Sequence, residues 1–158
     1  MRLTVAITVA VWQDGVVARP TNLQFAVVVH VLTYLAGMGN GRPISSDELS
    51  GSVNTNPVYV RRALGPLREA GLVRSVPGVH GGWELCRDPK DITLAEVWGL
   101  VQGDDPVLGL HGANPKCPVG RDISTALVAI DRGVAAAVSA ELAGTTIADL
   151  LAQVDVHV

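Results

Sequence analysis

The sequence predicts a mainly α-helical fold with a small β wing, and three consecutive patterns between Ile44 and Asp91 support that prediction. A capped helix start comes first, a helix reopened by an Asn-Pro pair comes second, and two short apolar strands around a Gly-rich turn come third. A helix, a tight turn, a second helix and a hairpin in this order indicate a winged helix-turn-helix domain. Such a domain places its second helix in the major groove of DNA.

The first helix of the pair is predicted to start at the two serines that precede Asp47 and Glu48. A serine oxygen accepts a hydrogen bond from an amide at a helix start, and acidic residues there are favoured by the positive end of the helix dipole. The turn-forming residues 51–55 are then expected to end this helix.

The second helix is predicted to begin at Asn56 and Pro57, because asparagine caps helices well and proline at the first helical position loses no hydrogen bond. The apolar residues that follow recur at helical spacing on one face, whereas the arginines lie largely off that face. Pro66 cannot donate to the Arg62 carbonyl, so we expect the helix to kink or end near Gly65.

DNA contact should therefore fall to the first turns of the second helix and to the start of the helix before it. The candidate contacts are Ser46, Thr55, Asn56, Val58, Tyr59, Arg61 and Arg62. Arginine can pair with guanine edges or with phosphate. We expect Arg61 or Arg62 to act mainly as a phosphate clamp.

The hairpin is predicted on either side of a Gly-rich turn, since residues 72–76 and 83–86 alternate between apolar and polar types. In a winged helix the tip of such a hairpin reaches the phosphate backbone or the minor groove beside the recognition helix. Arg74, His80 and Arg87 are therefore candidate phosphate contacts.

The chain divides into four predicted segments. They are an N-terminal extension at 1–19, the DNA-binding domain at 20–102, a sensor loop at 103–120, and a dimerisation helix with a C-terminal helix at 121–158. The domain is predicted to open with an apolar helix that starts near residue 21, contains His30 and stops at Gly37. It is predicted to close with a helix capped by Asp91 or Thr93.

A long helix is predicted from about Asp122, and its apolar residues step by three or four along one side. They are Ile123, Leu127, Ile130, Val134, Val138 and Leu142. A stripe of this length lies outside the winged-helix core and has little of its own domain to cover. Pairing with the same helix of a second subunit would bury it, which predicts a two-fold dimer. A short capped helix is expected at 145–151.

At 158 residues and 48% hydrophobic composition, the chain is long enough for one compact domain with an extra helix or two. The net charge is −3, although nucleic-acid binders are often basic overall. Between Arg42 and Lys90 seven basic residues stand against five acidic ones, which is a mildly positive balance. DNA binding should therefore depend on a few well-placed arginines and on two copies of the domain, and it should weaken steeply with salt.

Targeting signals are weak. No stretch of about 18 uncharged apolar residues occurs, so we expect no membrane span. Residues 1–12 superficially resemble a signal peptide, but a DNA-binding domain would have no use outside the cytoplasm. We therefore expect a cytoplasmic protein, in which residues 1–19 are a short strand-like arm or an artefact of the start site.

The chain resembles the Rrf2 family of bacterial transcription regulators from about Pro20 to Leu151. The motifs that carry the resemblance are LTYLA at 32–36, ISSDEL at 44–49, VRR at 60–62, LREAGLV at 67–73, GGW at 81–83 and DITLAEV at 91–97. Two narrower motifs, NTNPV at 54–58 and NPKCPVG at 114–120, resemble the YwnA-like branch of the family, which includes hypochlorite-sensing relatives. The resemblance implies a homodimer that binds a palindromic operator in double-stranded DNA, usually as a repressor.

Many members of this family hold an iron–sulfur cluster on three closely spaced cysteines before the dimer helix, whereas this loop contains only Cys117. The second cysteine, Cys86, lies on the predicted wing strand, where we expect it to pack in the core. Three thiolates from one loop are therefore lacking, and we expect no cofactor and no metal. A cluster held across the dimer by Cys117 and His30 remains an alternative.

Cys117 is a candidate redox sensor, because it lies beside Lys116 and just before the long helix. Both the cation and the helix dipole would favour the thiolate, which is the form that oxidants attack first. Oxidation there would act at the start of the dimer helix and alter the angle between the two DNA-binding domains. A buried and inert cysteine between two prolines is the structural alternative.

Two other classes of function are weighed against a DNA-binding regulator. An enzyme with Cys117 as nucleophile has only His111 nearby and no third group to orient a Cys–His pair, so we expect no catalytic activity. A winged-helix module that binds protein instead of DNA is favoured by the acidic charge balance and opposed by the arginines of the recognition helix and wing.

Overall fold

The computed structural model describes residues 23–154, which fold into helices around a two-stranded wing. The elements are α1 (Leu23–Met38), α2 (Ser46–Ser52), α3 (Pro57–Ala63), α4 (Gly65–Glu69), β1 (Val73–Val76), β2 (Gly82–Leu85), a 3-10 turn (Pro89–Asp91), α5 (Leu94–Gln102), α6 (Pro118–Leu142) and α7 (Ile147–Leu151). This order confirms the mainly helical fold with a β wing. The predicted N-terminal extension at 1–19 lies outside the described residues.

Side-chain hydrogen bonds cap the starts of both helices of the helix-turn-helix. The Ser45 hydroxyl accepts a hydrogen bond from the Glu48 amide at 3.1 Å, and the Asn56 carbonyl oxygen accepts one from the Tyr59 amide at 2.9 Å. Between the two helices Asn54 takes a φ of +52°, a conformation that asparagine tolerates better than most residues. Both helix starts therefore lie where the sequence predicts them.

The recognition helix is short. It ends at Ala63, and Leu64 then takes ψ of −8° before a separate short helix runs from Gly65 to Glu69. Pro66 lies in the first turn of that second helix, where a missing amide costs nothing. The prediction that Pro66 ends the recognition helix near Gly65 is confirmed.

The wing is an antiparallel hairpin that joins a third short strand segment at Ile44. Within the hairpin, Arg74 faces Glu84 across the strands. Ile44 and Trp83 exchange two backbone hydrogen bonds of 3.0 and 2.8 Å. Gly82 makes this approach feasible, because a Cβ atom there would lie 2.3 Å from the Ile44 carbonyl oxygen. The wing is thus attached to the start of α2 by its backbone.

The core lies between α1, the helix-turn-helix, the wing and α5. Its fully buried large side chains include Leu32, Ile44, Leu49, Leu64, Leu67, Leu72, Ile92 and Ile147. Ile147 belongs to α7, and its amide donates to the Ile92 carbonyl at 3.0 Å. The C-terminal helix therefore packs into the DNA-binding domain, although the chain reaches it only after the long helix α6.

Helix α6 has no buried residue and begins at Pro118, four residues before the predicted start at Asp122. Its side chains Ile123 and Ile130 are 42% and 54% exposed. By length and mean hydropathy it is a helix that could cross a membrane. The sequence-based expectation of no membrane span did not identify this segment because it concerned uncharged apolar stretches, and Asp131 and Arg132 lie within this helix. The Asp131 carboxylate also accepts a hydrogen bond of 2.7 Å from the Leu108 amide in the preceding loop.

Candidate nucleic-acid interface

The outer surface of α3 presents two arginines. Arg61 and Arg62 are exposed in its last turn, while Val60 and Ala63 face the core. Neither arginine forms an ion pair with any residue of the 23–154 segment. Cations at the C-terminal end of a helix are also stabilised by its dipole. This face of α3 therefore offers two positive charges without competing carboxylates.

The residues at the start of α3 differ in their exposure to solvent. Val58 is 65% exposed, which is high for an apolar side chain in the middle of a polar surface. Asn56 is exposed too, and because only its carbonyl oxygen caps the helix, its amide hydrogens can still donate outward. Thr55 and Tyr59 are half-buried, and Tyr59 packs against the core. The structure thus exposes Val58 and Asn56 and partly covers Thr55 and Tyr59.

Ser46 lies in the first turn of α2, and Ser45 before it is the helix cap. The Ser46 hydroxyl oxygen accepts a hydrogen bond of 3.0 Å from the indole nitrogen of Trp83. This contact joins the helix-turn-helix to the wing through side chains as well as through the backbone. Sequence spacing could not reveal it, because the two residues are 37 positions apart.

His80 is exposed in the turn of the wing. That turn lines a surface groove with the segment that leads into α2; the groove residues are Arg42, Pro43, Ser45, Glu48, Val79, His80 and Gly81. The wing tip therefore lies beside the start of α2, which places His80 and Ser46 on neighbouring parts of the surface.

The other two predicted phosphate contacts are engaged by acidic side chains. Arg74 donates from Nε at 2.8 Å and from Nη2 at 2.6 Å to one carboxylate oxygen of Glu84, and this hydrogen bonding raises the pKa of Arg74. Arg87 pairs with Glu96 at 2.6 Å. The sequence-based expectation treated both as available cations. It missed their partners because a cross-strand pair and a strand-to-helix pair depend on register and packing.

A polar cluster that sequence reasoning missed connects α1, α2 and the loop between them. Both terminal nitrogens of Arg42 donate to the Glu48 carboxylate at 3.0 and 3.2 Å, and the Tyr34 hydroxyl donates to it at 3.1 Å. The Arg42 hydrogen bond is the main cause that lowers the pKa of Glu48. Glu48 was identified from the sequence only as an acid at a helix start. Its two partners lie on segments that meet it only after folding.

Cys117 is exposed at the N-cap of α6, and its side chain makes no capping hydrogen bond. The turn around it is tight, since the Cys117 amide donates to the Asn114 carbonyl at 3.1 Å and a Cβ on Gly120 would lie 2.8 Å from the same oxygen. The structural alternative of a buried cysteine is therefore wrong, and oxidants in solvent can reach this thiol.

Cys86 is exposed as well, so the expectation that it packs in the core is wrong. Strand β2 ends at Leu85, and strand alternation would in any case place Cys86 on the side of Glu84 and opposite the buried Trp83. The backbone nevertheless stays anchored, because the Cys86 amide donates to the Leu72 carbonyl at 2.9 Å.

Within a single subunit, the residues of segment 23–154 do not group around an iron site. Within that segment no group of three or more His, Cys, Asp or Glu side chains is arranged to hold a metal ion. His30 lies 3.0 Å from the Ser52 hydroxyl, so one ring nitrogen already has a protein partner. A cluster held by three thiolates of one subunit would need a third cysteine, whereas this part of the chain contains two.

Comparison with known proteins matches this chain to a family of transcriptional regulators. Residues 21–153 match the Rrf2 family, described as an iron-dependent transcriptional regulator. The HTH-type transcriptional regulator YwnA of Bacillus subtilis is 38% identical over 131 residues, which cover 82% of this chain and 96% of YwnA.

Two solved structures are also similar to this chain. A crystal structure described as that of a candidate DNA-binding protein is 38% identical, covers 81% of this chain and 98% of its own, and superposes with a TM-score of 0.64. CymR, the global cysteine regulator of Bacillus subtilis, is 25% identical, with coverage of 86% of this chain and 96% of its own and a TM-score of 0.57.

Proposed function

This chain belongs to the Rrf2 family of DNA-binding transcriptional regulators, and we propose that it is a homodimeric, cytoplasmic repressor of a palindromic operator. The family assignment rests on residues 21–153 and on the 38% identity to YwnA, and it confirms the sequence-based resemblance. The family is one of regulators and not of enzymes. The observation that best supports direct DNA contact is the pair Arg61 and Arg62 on the exposed face of α3, neither of which forms an ion pair within residues 23–154.

The proposed contacts extend from this couple to the surfaces on either side of it. Val58 and Tyr59 lie on the same short helix, and Thr55 and its cap Asn56 come directly before it. Ser46 lies at the start of α2, and His80 lies at the wing tip. In helix-turn-helix proteins the second helix enters the major groove while the first crosses the backbone. Arg74 joins these contacts only if a phosphate displaces Glu84.

Helix α6 supports the proposed dimer. Its exposed apolar residues Val119, Ile123 and Ile130 would leave water if the helix paired with a copy of itself. A two-fold pair would then place two recognition helices on half-sites about one DNA turn, roughly 34 Å, apart. An Ile130→Asp variant should dissociate to monomers in analytical ultracentrifugation and lose operator affinity. Ser139→Asp, on the opposite side of the same helix, is the matched control and should remain dimeric.

DNA binding itself is tested with the full chain and fluorescein-labelled DNA from its own promoter region. We expect sequence-specific anisotropy changes that weaken steeply between about 50 and 200 mM salt, because phosphate contacts release counterions. If no salt-sensitive, sequence-specific complex forms, the regulator proposal fails. The exposed apolar face of α6 and the net charge of −3 would then favour a module that binds protein.

We further propose that Cys117 makes this repressor responsive to oxidants. Hypochlorite would oxidise the thiolate to a sulfenic acid and be reduced to chloride, and condensation with a small thiol would then give a mixed disulfide and water. Exposure of the thiol and its place at the N-cap of α6 support this role. A bulky adduct at that position would disturb the first turn of the helix proposed to join the two subunits.

A further inference from the structure

Trp83 is the residue through which the wing contacts the helix-turn-helix. Its ring is 5% exposed, its backbone exchanges two hydrogen bonds with Ile44, and its indole nitrogen donates to the Ser46 hydroxyl at 3.0 Å. One residue therefore attaches β2 both to the strand segment before α2 and to a side chain of α2 itself.

The hydrogen bond from Trp83 determines what the Ser46 hydroxyl can still do. An indole nitrogen can only donate, whereas a hydroxyl has one hydrogen to donate and two lone pairs that accept. Because the indole occupies one lone pair, the hydroxyl hydrogen of Ser46 is left for a different acceptor. Ser46 is half-buried, so part of this residue remains accessible from solvent.

DNA phosphate is the acceptor that suits this position. Phosphate oxygens accept hydrogen bonds from serine hydroxyls, and the first helix of a helix-turn-helix crosses the DNA backbone. Ser45 and His80 line the wing-tip groove, and Ser46 follows Ser45 in the chain at the start of α2. A backbone phosphate that crosses the start of α2 would meet a hydroxyl whose orientation is already restricted by a buried residue.

We propose that Trp83 is a positioning residue for DNA binding, whose indole N–H orients the Ser46 hydroxyl to donate to a backbone phosphate. This inference rests on the proposed operator binding and adds a side chain that does not itself touch DNA. A hydroxyl held in advance loses less rotational freedom when phosphate arrives, so affinity should depend on the indole N–H and not only on the bulk of the ring.

The test uses the full chain, the labelled promoter DNA and four variants. Trp83→Phe keeps a buried ring but removes the N–H, Ser46→Ala removes the hydroxyl, and Ser46→Thr retains it. We expect the first two each to weaken binding by about three- to tenfold for each half-site, the magnitude of one typical net hydrogen bond. The double variant should bind no more weakly than Ser46→Ala alone, because the indole acts through the hydroxyl. Ser46→Thr should largely retain affinity.

Two readouts separate positioning from a general effect on folding. The salt dependence should be unchanged in Trp83→Phe, since a neutral hydroxyl releases no counterion, and a methylphosphonate at one phosphate per half-site should erase the effect of Ser46→Ala. Trp98→Phe is the matched control: this half-buried tryptophan contacts Phe25, with ring centroids 5.3 Å apart, and should leave affinity unchanged.

Several results would overturn the inference. If Trp83→Phe binds DNA as tightly as the wild type, the ring of Trp83 only packs. If the losses of affinity are additive in the double variant, Trp83 and Ser46 act separately. Equal losses in Trp98→Phe would indicate a stability effect. If the wild-type protein itself shows no specific binding, the proposed function fails first and this inference falls with it. If Trp83→Phe does not fold, Ser46→Ala and the methylphosphonate series still decide whether the hydroxyl meets a phosphate.

Discussion

The guanidinium of Arg74 donates two hydrogen bonds to a single carboxylate oxygen of Glu84, its cross-strand neighbour in the wing. The Arg74 side chain is 67% exposed, so solvent weakens this pair, but the carboxylate still competes with any phosphate for the same donors. The wing therefore carries a positive charge that is largely balanced before DNA arrives.

Glu84→Gln should strengthen operator binding by about two- to fivefold, because it releases Arg74 to a phosphate without changing the shape of the wing. The dependence of log affinity on log salt should also steepen by about 1.8, because each subunit of the proposed dimer adds one phosphate contact. Fluorescence anisotropy at several salt concentrations measures both quantities. Asp104→Asn, which makes the same charge change in the exposed loop after α5, is the control; an equal gain there would mean that net charge alone is responsible.

Replacing both Arg61 and Arg62 with alanine should weaken operator binding by about 100-fold for each subunit of the dimer, since each charged contact contributes roughly tenfold. The salt dependence should fall by about 3.6 if both arginines of both subunits contact phosphate. Dimerisation should be unchanged, because neither side chain is buried. Arg121→Ala combined with Arg132→Ala, which removes two exposed positive charges from α6, is the charge-matched control. Unchanged affinity in the double variant would place the DNA contact on another surface.

Cys117→Ser should remove the response of DNA binding to hypochlorite or diamide. The reduced variant should bind DNA as the wild type does, because serine retains the size of the side chain and the thiol makes no capping hydrogen bond. Binding before and after oxidant, with mass spectrometry of the thiols, tests this expectation. Cys86→Ser is the matched control, since Cys86 is equally exposed to solvent. A response that survives in Cys117→Ser and disappears in Cys86→Ser would reassign the sensor.

Glu48→Gln should lower the melting temperature slightly at neutral pH. The Arg42 guanidinium lowers the pKa of Glu48 in the folded protein below its usual value of 4.5. The stabilisation is therefore fully present above pH 4.5 and is lost as the pH falls through the lowered folded-state value. The melting temperatures of wild type and variant should therefore converge at pH values below the lowered pKa of Glu48. Tyr34→Phe keeps the ion pair but removes a hydrogen bond that also lowers the pKa of Glu48, so it should retain most of the wild-type pH dependence. A difference between wild type and Glu48→Gln that is constant at all pH values would contradict this role of Glu48.

Much of the fold follows from short-range patterns in the sequence. The caps at Ser45 and Asn56 act within three residues, and Pro66 interrupts the helix through its own missing amide. The face of α3 that carries Arg61 and Arg62 follows from helical periodicity. These features depend on neighbours along the chain, so sequence reasoning locates them well.

Sequence alone determined the helix-turn-helix, the wing, the length of the recognition helix and the exposed arginine pair. Tertiary structure decided which polar groups are engaged: Arg74 by Glu84, Glu48 by Arg42 and Tyr34, and Ser46 by Trp83. Tertiary packing also leaves Cys86 exposed to solvent and buries Ile147 in the core. The physical reason is distance along the chain. A cap or a helical stripe depends on residues a few positions apart, whereas a hydrogen bond such as the one from Trp83 to Ser46 forms only when packing brings distant segments within about 3 Å.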